Sequence, residues 1–399
     1  MITHSMKRGN LMLNGRNRSH GLLAACTVLA LTLVGCGSTA ESSGSSGDAK
    51  GAVPAGVAEA VKAARQPIDT FAGPGPAIDT SKITGGKVYV VVPALEVQDF
   101  SVVADEIKSV FARFGVDVEA CGTTGGSPDG VANCLHQAIN AKAIGIVTVG
   151  ITQNTAPSAI ADVARAGIPL VNGMTTSSGP GAPKLVSYVA PGFVKLHSWL
   201  TDQFIVDSKG SAHVLAMRTT SNDITPAWAD DGVVKVLKDD CGGCSSKVID
   251  VNTVNQDKIS TGVSTSLVSD SRMKYIVAGT NNYIPDVVSG AQAAGRSAAD
   301  TRIGTVGGAL AVMQQLGQSQ WVGAVAAFSL PALSWYMSDS LLRLMVGQPR
   351  AGELDFPFQR LFTSANVTGL DLTRKGWSSG SWYGKADYAN GFLKLWGKN

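Results

Sequence analysis

Gly376-Trp377-Ser378-Ser379-Gly380 has the G-x-S-x-G spacing of a hydrolase nucleophile elbow, a turn that lifts a serine hydroxyl out of a strand for deprotonation by a histidine. The surroundings do not supply that chemistry. An elbow needs an apolar strand before the serine, a helix after it, and an Asp or Glu followed by a His later on, whereas the last histidine here is His213. The segment reads instead as a Gly/Ser-rich surface turn. His136, His197 and His213 are scattered, with no i,i+4 pair and no H-E-x-x-H, so no metal or acid–base set emerges. There is no Walker A loop and no G-x-G-x-x-G opening a helix, and no cofactor is expected. The chain reads as a binder, not an enzyme.

Binding residues need elements to hold them. From Lys87 onward short apolar runs alternate with amphipathic segments, the pattern of a parallel sheet covered by helices on both faces. Ten candidate strands follow, in two sets of five: Lys87–Pro93, Val116–Ala120, Ile144–Gly150, Pro169–Asn172 and Leu185–Val189, then His213–Met217, Lys247–Val251, Lys274–Gly279, Arg302–Val306 and Val322–Phe328. Most run into a helical pattern, such as Asp99–Phe114, Val131–Ala143 and Leu330–Val346. The fold class predicted is α/β, with two doubly wound parallel-sheet lobes.

The formal net charge is +3, but Lys7, Arg8, Arg16 and Arg18 lie in a leading segment without acidic residues, so the remainder is close to neutral. A near-neutral surface offers no electrostatic footprint for nucleic acid. The first 35 residues resemble a lipoprotein signal peptide: basic residues, an apolar run Gly21–Val34 too short to span a bilayer, then Leu33-Val34-Gly35-Cys36 in the manner of a lipobox. That resemblance implies export and a lipid on Cys36, anchoring the protein to the outer face of the cell membrane. Residues 36–84 would then be a flexible tether and strap, Ser/Gly/Ala-rich at first and Pro/Gly-rich from Gln66 to Ile83.

With Cys26 and Cys36 in the leader region, Cys121, Cys134, Cys241 and Cys244 remain, and in an exported protein an even set reads as disulfides. Three connectivities are open. Local sequence favours Cys121 with Cys134 and Cys241 with Cys244, because each pair stays within one lobe. A redox dithiol or half a zinc site is the other reading of Cys-Gly-Gly-Cys. The run ends a helical pattern (Trp228–Asp240) and does not open one, so a low-pKa thiolate is not suggested.

The order of elements from about Lys87 to Thr363 resembles the type I periplasmic binding proteins, in particular the ribose-binding-like solute-binding subunits of ABC importers. The resemblance is carried by Val90-Val91-Val92-Pro93-Ala94-Leu95-Glu96-Val97-Gln98-Asp99-Phe100, similar to the family's VxxPxxxxxF turn, by Ile168-Pro169-Leu170-Val171-Asn172 as the fourth strand, and by Ala278-Gly279-Thr280-Asn281-Asn282 at a strand end. It implies lobe 1 from 85–191 plus 330–357 and lobe 2 from 192–329 plus 358–399 with a C-terminal tail. Three hinge crossovers would lie near Ala190–Phe193, Phe328–Pro331 and Phe358–Phe362. The small-molecule ligand would sit between the lobes, beyond the carboxyl ends of the strands. The implied role is a monomeric importer subunit handing its ligand to an ABC permease in the membrane. The alternative is a ligand-sensing lipoprotein signalling to a receptor or kinase.

The chain departs from the sugar-binding pattern. Asn172-Gly173-Met174-Thr175 stands where the family has an Asp-Arg pair, Gly307 where it has an Asp, and Ala327 where it has a hinge Gln. The implied ligand contacts from the first lobe are Leu95, Asp99, Phe100, Gln153, Asn172 and Met174. Those from the second are Asn222, Trp228, Asn281, Asn282, Tyr283 and Phe328. These are amides, aromatics and one carboxylate, a lining suited to a less hydroxylated ligand, such as an aromatic metabolite. Each has a plainer use: Asp99 as a helix cap, Phe100 and Trp228 as core, Asn281 and Asn282 as turn residues. The tail aromatics Trp377, Trp382, Tyr383, Tyr388, Phe392 and Trp396 read as a packing strap.

Overall fold

A computed structural model describes residues 52–177, 185–252, 256–350 and 354–398. The signal peptide, Cys36 and the Ser/Gly-rich tether lie outside the described residues. Among the described residues no helix is long and apolar enough to cross a membrane.

The first lobe is built on five parallel strands: β1 (Lys87–Val92), β2 (Asp117–Gly122), β3 (Gly145–Val149), β4 (Leu170–Gly173) and β5 (Val186–Val189), in the order β2-β1-β3-β4-β5. β1 and β3 are apolar, β-branched-rich runs without alternation because helices cover both faces. The helix Pro128–Asn140 covers the edge strand β2. It starts where Ser127 accepts a hydrogen bond from Gly130 N and Pro128 sets the first helical φ. The Cys121–Cys134 disulfide joins that helix to β2.

The second lobe holds β6 (His213–Thr219), β7 (Ser245–Val251), β8 (Tyr275–Val277), β9 (Arg302–Gly307), β10 (Val322–Phe328) and β11 (Gln359–Thr363), in the order β11-β10-β9-β8-β6-β7. All pairs are parallel except β10 with β11. The eleventh strand corrects the sequence reading, which made Phe358–Phe362 only a crossover. The chain returning from the first lobe enters alongside β10 from the opposite direction, and its open backbone groups are satisfied by pairing there. Cys241 and Cys244 close the turn into β7.

The helix Leu330–Met345 leaves β10 under a Ser329 cap and is buried along nearly its whole length, packing on the helix Gln98–Ala112 and across β3, β4 and β5. Two further segments reach across the molecule. The helix Ala55–Ala64 lies on the second-lobe helix Phe193–Asp207, and the strap after it binds the tail through Ile68 N to Tyr383 O (2.7 Å) and Ile78 N to Leu395 O (2.8 Å). The described part of the strap is thus hydrogen-bonded structure. The tail also divides: Trp377 and Trp382 anchor it beside the second sheet. The last helix, Tyr388–Leu395, packs on Leu330–Met345 instead, with Trp396 stacked on Trp335 at 5.5 Å. This last part of the stretch 358–399 meets the buried helix through its apolar face.

Candidate functional site

The carboxyl ends of both sheets open on one cleft, a cavity of about 700 Å³ between the lobes. First-lobe residues reach it from the loops after β1, β3 and β4, and second-lobe residues from the ends of β6, β8, β9 and β10. The walls are mostly aromatic and aliphatic. Phe193 stacks on Trp228 with ring centroids 4.6 Å apart and meets Phe328 edge-on at 5.8 Å. Behind Trp228 the His197 ring lies at 5.8 Å, its Nδ1 on Phe193 O at 2.7 Å. Burial lowers the His197 pKa to about 4, so this imidazole is neutral and serves as apolar backing. Trp228 enters a helix that passes through a π-helical turn at Asp230–Lys235, where Thr201 Oγ1 takes up the Gly232 carbonyl at 2.9 Å.

Eight residues expected from the sequence line the cleft: Asp99, Phe100, Met174 and Asn222, with Trp228, Asn281, Asn282 and Phe328. Four do not, and each has a local reason. Leu95 folds over Gly122 at the rim. Gln153 accepts from Tyr188 Oη at 2.7 Å within its own lobe. Asn172 is fully buried and accepts from Thr148 Oγ1 at 2.6 Å. Tyr283 is buried beside Gly279, behind the cleft surface. Sequence reasoning missed Phe193, Thr152, Thr175, Lys195 and Ser198. Nothing local marks them, although Phe193 stands in the first expected crossover.

Two departures from the sugar-type pattern have steric causes. A Cβ on Gly173 would lie 2.1 Å from Met337 Sδ, so β4 ends flush against the buried helix. Met174, with φ of 58°, then turns its side chain into the cleft. A Cβ on Gly307 would lie 2.1 Å from Asn281 Nδ2. With its amide oriented to bond well, Asn281 accepts from Gly308 N and Ala309 N, both at 3.2 Å. Asn281 therefore fills the space of a side chain at 307.

Asp99 sits in the first turn of the helix Gln98–Ala112 without capping it; the cap position is Val97 and no side chain bonds there. Burial alone pushes its carboxyl pKa upward. The other charged lining residue, Lys195, pairs with Asp355 at 3.0 Å. Across the cleft, Asn154 Nδ2 of the first lobe donates to Asp223 Oδ2 of the second at 2.8 Å. Gly376–Gly380 is no nucleophile elbow. It spans the end of a short helix, Arg374–Ser378, whose Trp377 is buried with Nε1 donating to Gly308 O at 3.1 Å. The expected surface turn is in this respect a packed anchor. Among the described residues no group of three or more His, Cys, Asp or Glu could hold a metal.

Two parallel-sheet lobes with a cleft at facing strand ends define the type I periplasmic binding fold, and solved structures agree. The chain superposes on an ABC transporter solute-binding protein from Agrobacterium vitis bound with alpha-D-tagatopyranose, with a TM-score of 0.64 at 14% identity over 72% of this chain and 98% of that one. A structure from Mycobacterium smegmatis in complex with beta-D-fucofuranose gives 0.61 at 14% identity, over 73% and 96%. An ABC transporter solute-binding protein from Bacillus halodurans with bound myo-inositol gives 0.61 at 11%, over 72% and 97%. No family model matches the sequence, and no curated protein matches it either. The likeness is one of fold.

Proposed function

We propose that this chain is the solute-binding subunit of an ABC-type importer, exported and held at the outer face of the membrane by a lipid on Cys36. It captures one small molecule in the interlobe cleft by hinge closure and delivers it to a permease. The observation that carries this reading is the cleft itself: about 700 Å³, lined from seven strand ends of two sheets, and bridged by Asn154 and Asp223. A volume of this size suits a single metabolite. The aromatic trio Phe193, Trp228 and Phe328, in a cleft whose exposed surface is mainly apolar, favours a ligand with an apolar or aromatic body over a fully hydroxylated sugar.

The test is thermal unfolding and small-angle scattering of the leaderless protein against a panel of sugars, polyols and aromatic metabolites. A true ligand at a hundredfold excess over its Kd raises stability by about 2.7 kcal/mol and compacts the protein. If no compound in the panel does either, capture in this cleft is refuted.

A further inference from the structure

Resting on that reading, we infer that the ligand is a cation: a protonated amine on an aromatic body, its ammonium paired with Asp99 and its ring against the wall formed by Phe193, Trp228 and Phe328. Among the described lining residues only Asp99 and Lys195 are charged. The Lys195 charge is already committed to Asp355 at 3.0 Å and leans over Trp199, with Nζ 5.4 Å from that ring's centroid. Asp99 has no such partner among the described residues: there no salt bridge or side-chain hydrogen bond reaches its carboxylate, and it does not cap its own helix. Its place in the first turn puts the positive end of the helix dipole beside it, which favours the ionised form, while burial opposes that form.

Closure around a neutral solute would bury this carboxylate further and leave it uncompensated, the costly arrangement for a charge in an apolar site. A ligand bringing an ammonium group supplies both the counter-charge and the missing donors. The aromatic faces attract a cation for the same electrostatic reason and take the ring of the ligand by stacking.

Matched pairs test this: tryptamine against tryptophol, and phenethylamine against 2-phenylethanol, titrated calorimetrically into wild type and Asp99→Asn. In wild type each amine should bind roughly tenfold or more tighter than its alcohol. Asp99→Asn should erase that preference while leaving the alcohols within about twofold, and its unfolding temperature reports that the variant is folded. Because wild type alone carries the amine-to-alcohol comparison, the test does not depend on the variant. Equal binding of amine and alcohol, or an unchanged preference in Asp99→Asn, overturns the charge assignment. Tight binding of myo-inositol or a hexose with no response to any amine overturns it too, yet leaves small-molecule capture standing. A failure of every compound, sugars included, overturns both.

Discussion

Trp396 donates its indole Nε1–H to Asp339 Oδ1 at 2.8 Å, joining the last turn of the chain to the middle of the buried helix Leu330–Met345. The second carboxylate oxygen accepts from Arg343 Nε at 2.7 Å, and Arg343 reaches on to the carbonyl of Pro76 in the strap at 2.8 Å. One buried carboxylate thus ties together the N-terminal strap, the central helix and the tail.

This knot should be sensitive to its centre. Asp339→Asn leaves Arg343 charged and buried without its counter-ion, and should destabilise the protein by about 3–5 kcal/mol. Trp396→Phe keeps most of the stacking on Trp335 but leaves Asp339 Oδ1 without a donor, and should cost about 1–3 kcal/mol. Denaturant unfolding of the two variants gives this order; near-neutral values for both would mean that the strap and tail contribute nothing to stability.

Asn154 and Asp223 are hydrogen-bonded side chain to side chain across the mouth of the cleft, and both are exposed. Asn154→Ala should leave unfolding stability within about 0.5 kcal/mol while shifting the lobes toward the open state. The affinity for any cleft ligand should fall roughly twofold to tenfold, and the scattering radius of the ligand-free protein should rise. An unchanged radius and affinity would show that the bond does not bias closure.

Gly307 is held at a φ of 134° with Asn281 filling the space beyond its Cα. Gly307→Ala should cost about 1–3 kcal/mol and weaken cleft binding by displacing the Asn281 amide. Gly307→Asp should not produce a sugar site, since its carboxylate has no room to enter. Crystallography of either variant with Asn281 unmoved would contradict this.

Asp202 lies on the helix Phe193–Asp207 and is only 8% exposed; burial first, and then the Asp240 charge, raise its pKa to about 7. Below the ordinary carboxylate range both folded and unfolded chains hold the proton. As pH rises from there to about 7 the unfolded chain releases it and the folded protein keeps it, so stability falls across that window. Asp202→Asn should therefore match wild type near pH 4 and exceed it by on the order of 2 kcal/mol at pH 8. Parallel stability-against-pH curves for the two proteins would rule this out.

The alternation of apolar runs with amphipathic stretches was enough to place ten strands and two α/β lobes, because a strand covered on both faces must be apolar throughout. Local spacing also pointed to the pairings Cys121–Cys134 and Cys241–Cys244 found in the structure. The strand β11 escaped notice because pairing, not composition, makes Gln359–Thr363 a strand. Residue type and strand-end position indicated much of the cleft, including Asp99, Trp228 and Asn281. The choice between neighbours was tertiary. Asn172 turns inward to Thr148 while Met174, two residues on, enters the cleft, a difference set by the close approach of Met337 to Gly173 and by the positive φ at 174. Phe193 and Trp228 stand 35 positions apart in the sequence and form one stacked wall only because two helices of the second lobe cross there. Sequence thus determined ten of the eleven strands and most of the loops that face the cleft, since those follow from local periodicity. Only the packed structure decided which side chains reach it, since that depends on contacts between segments distant in the chain.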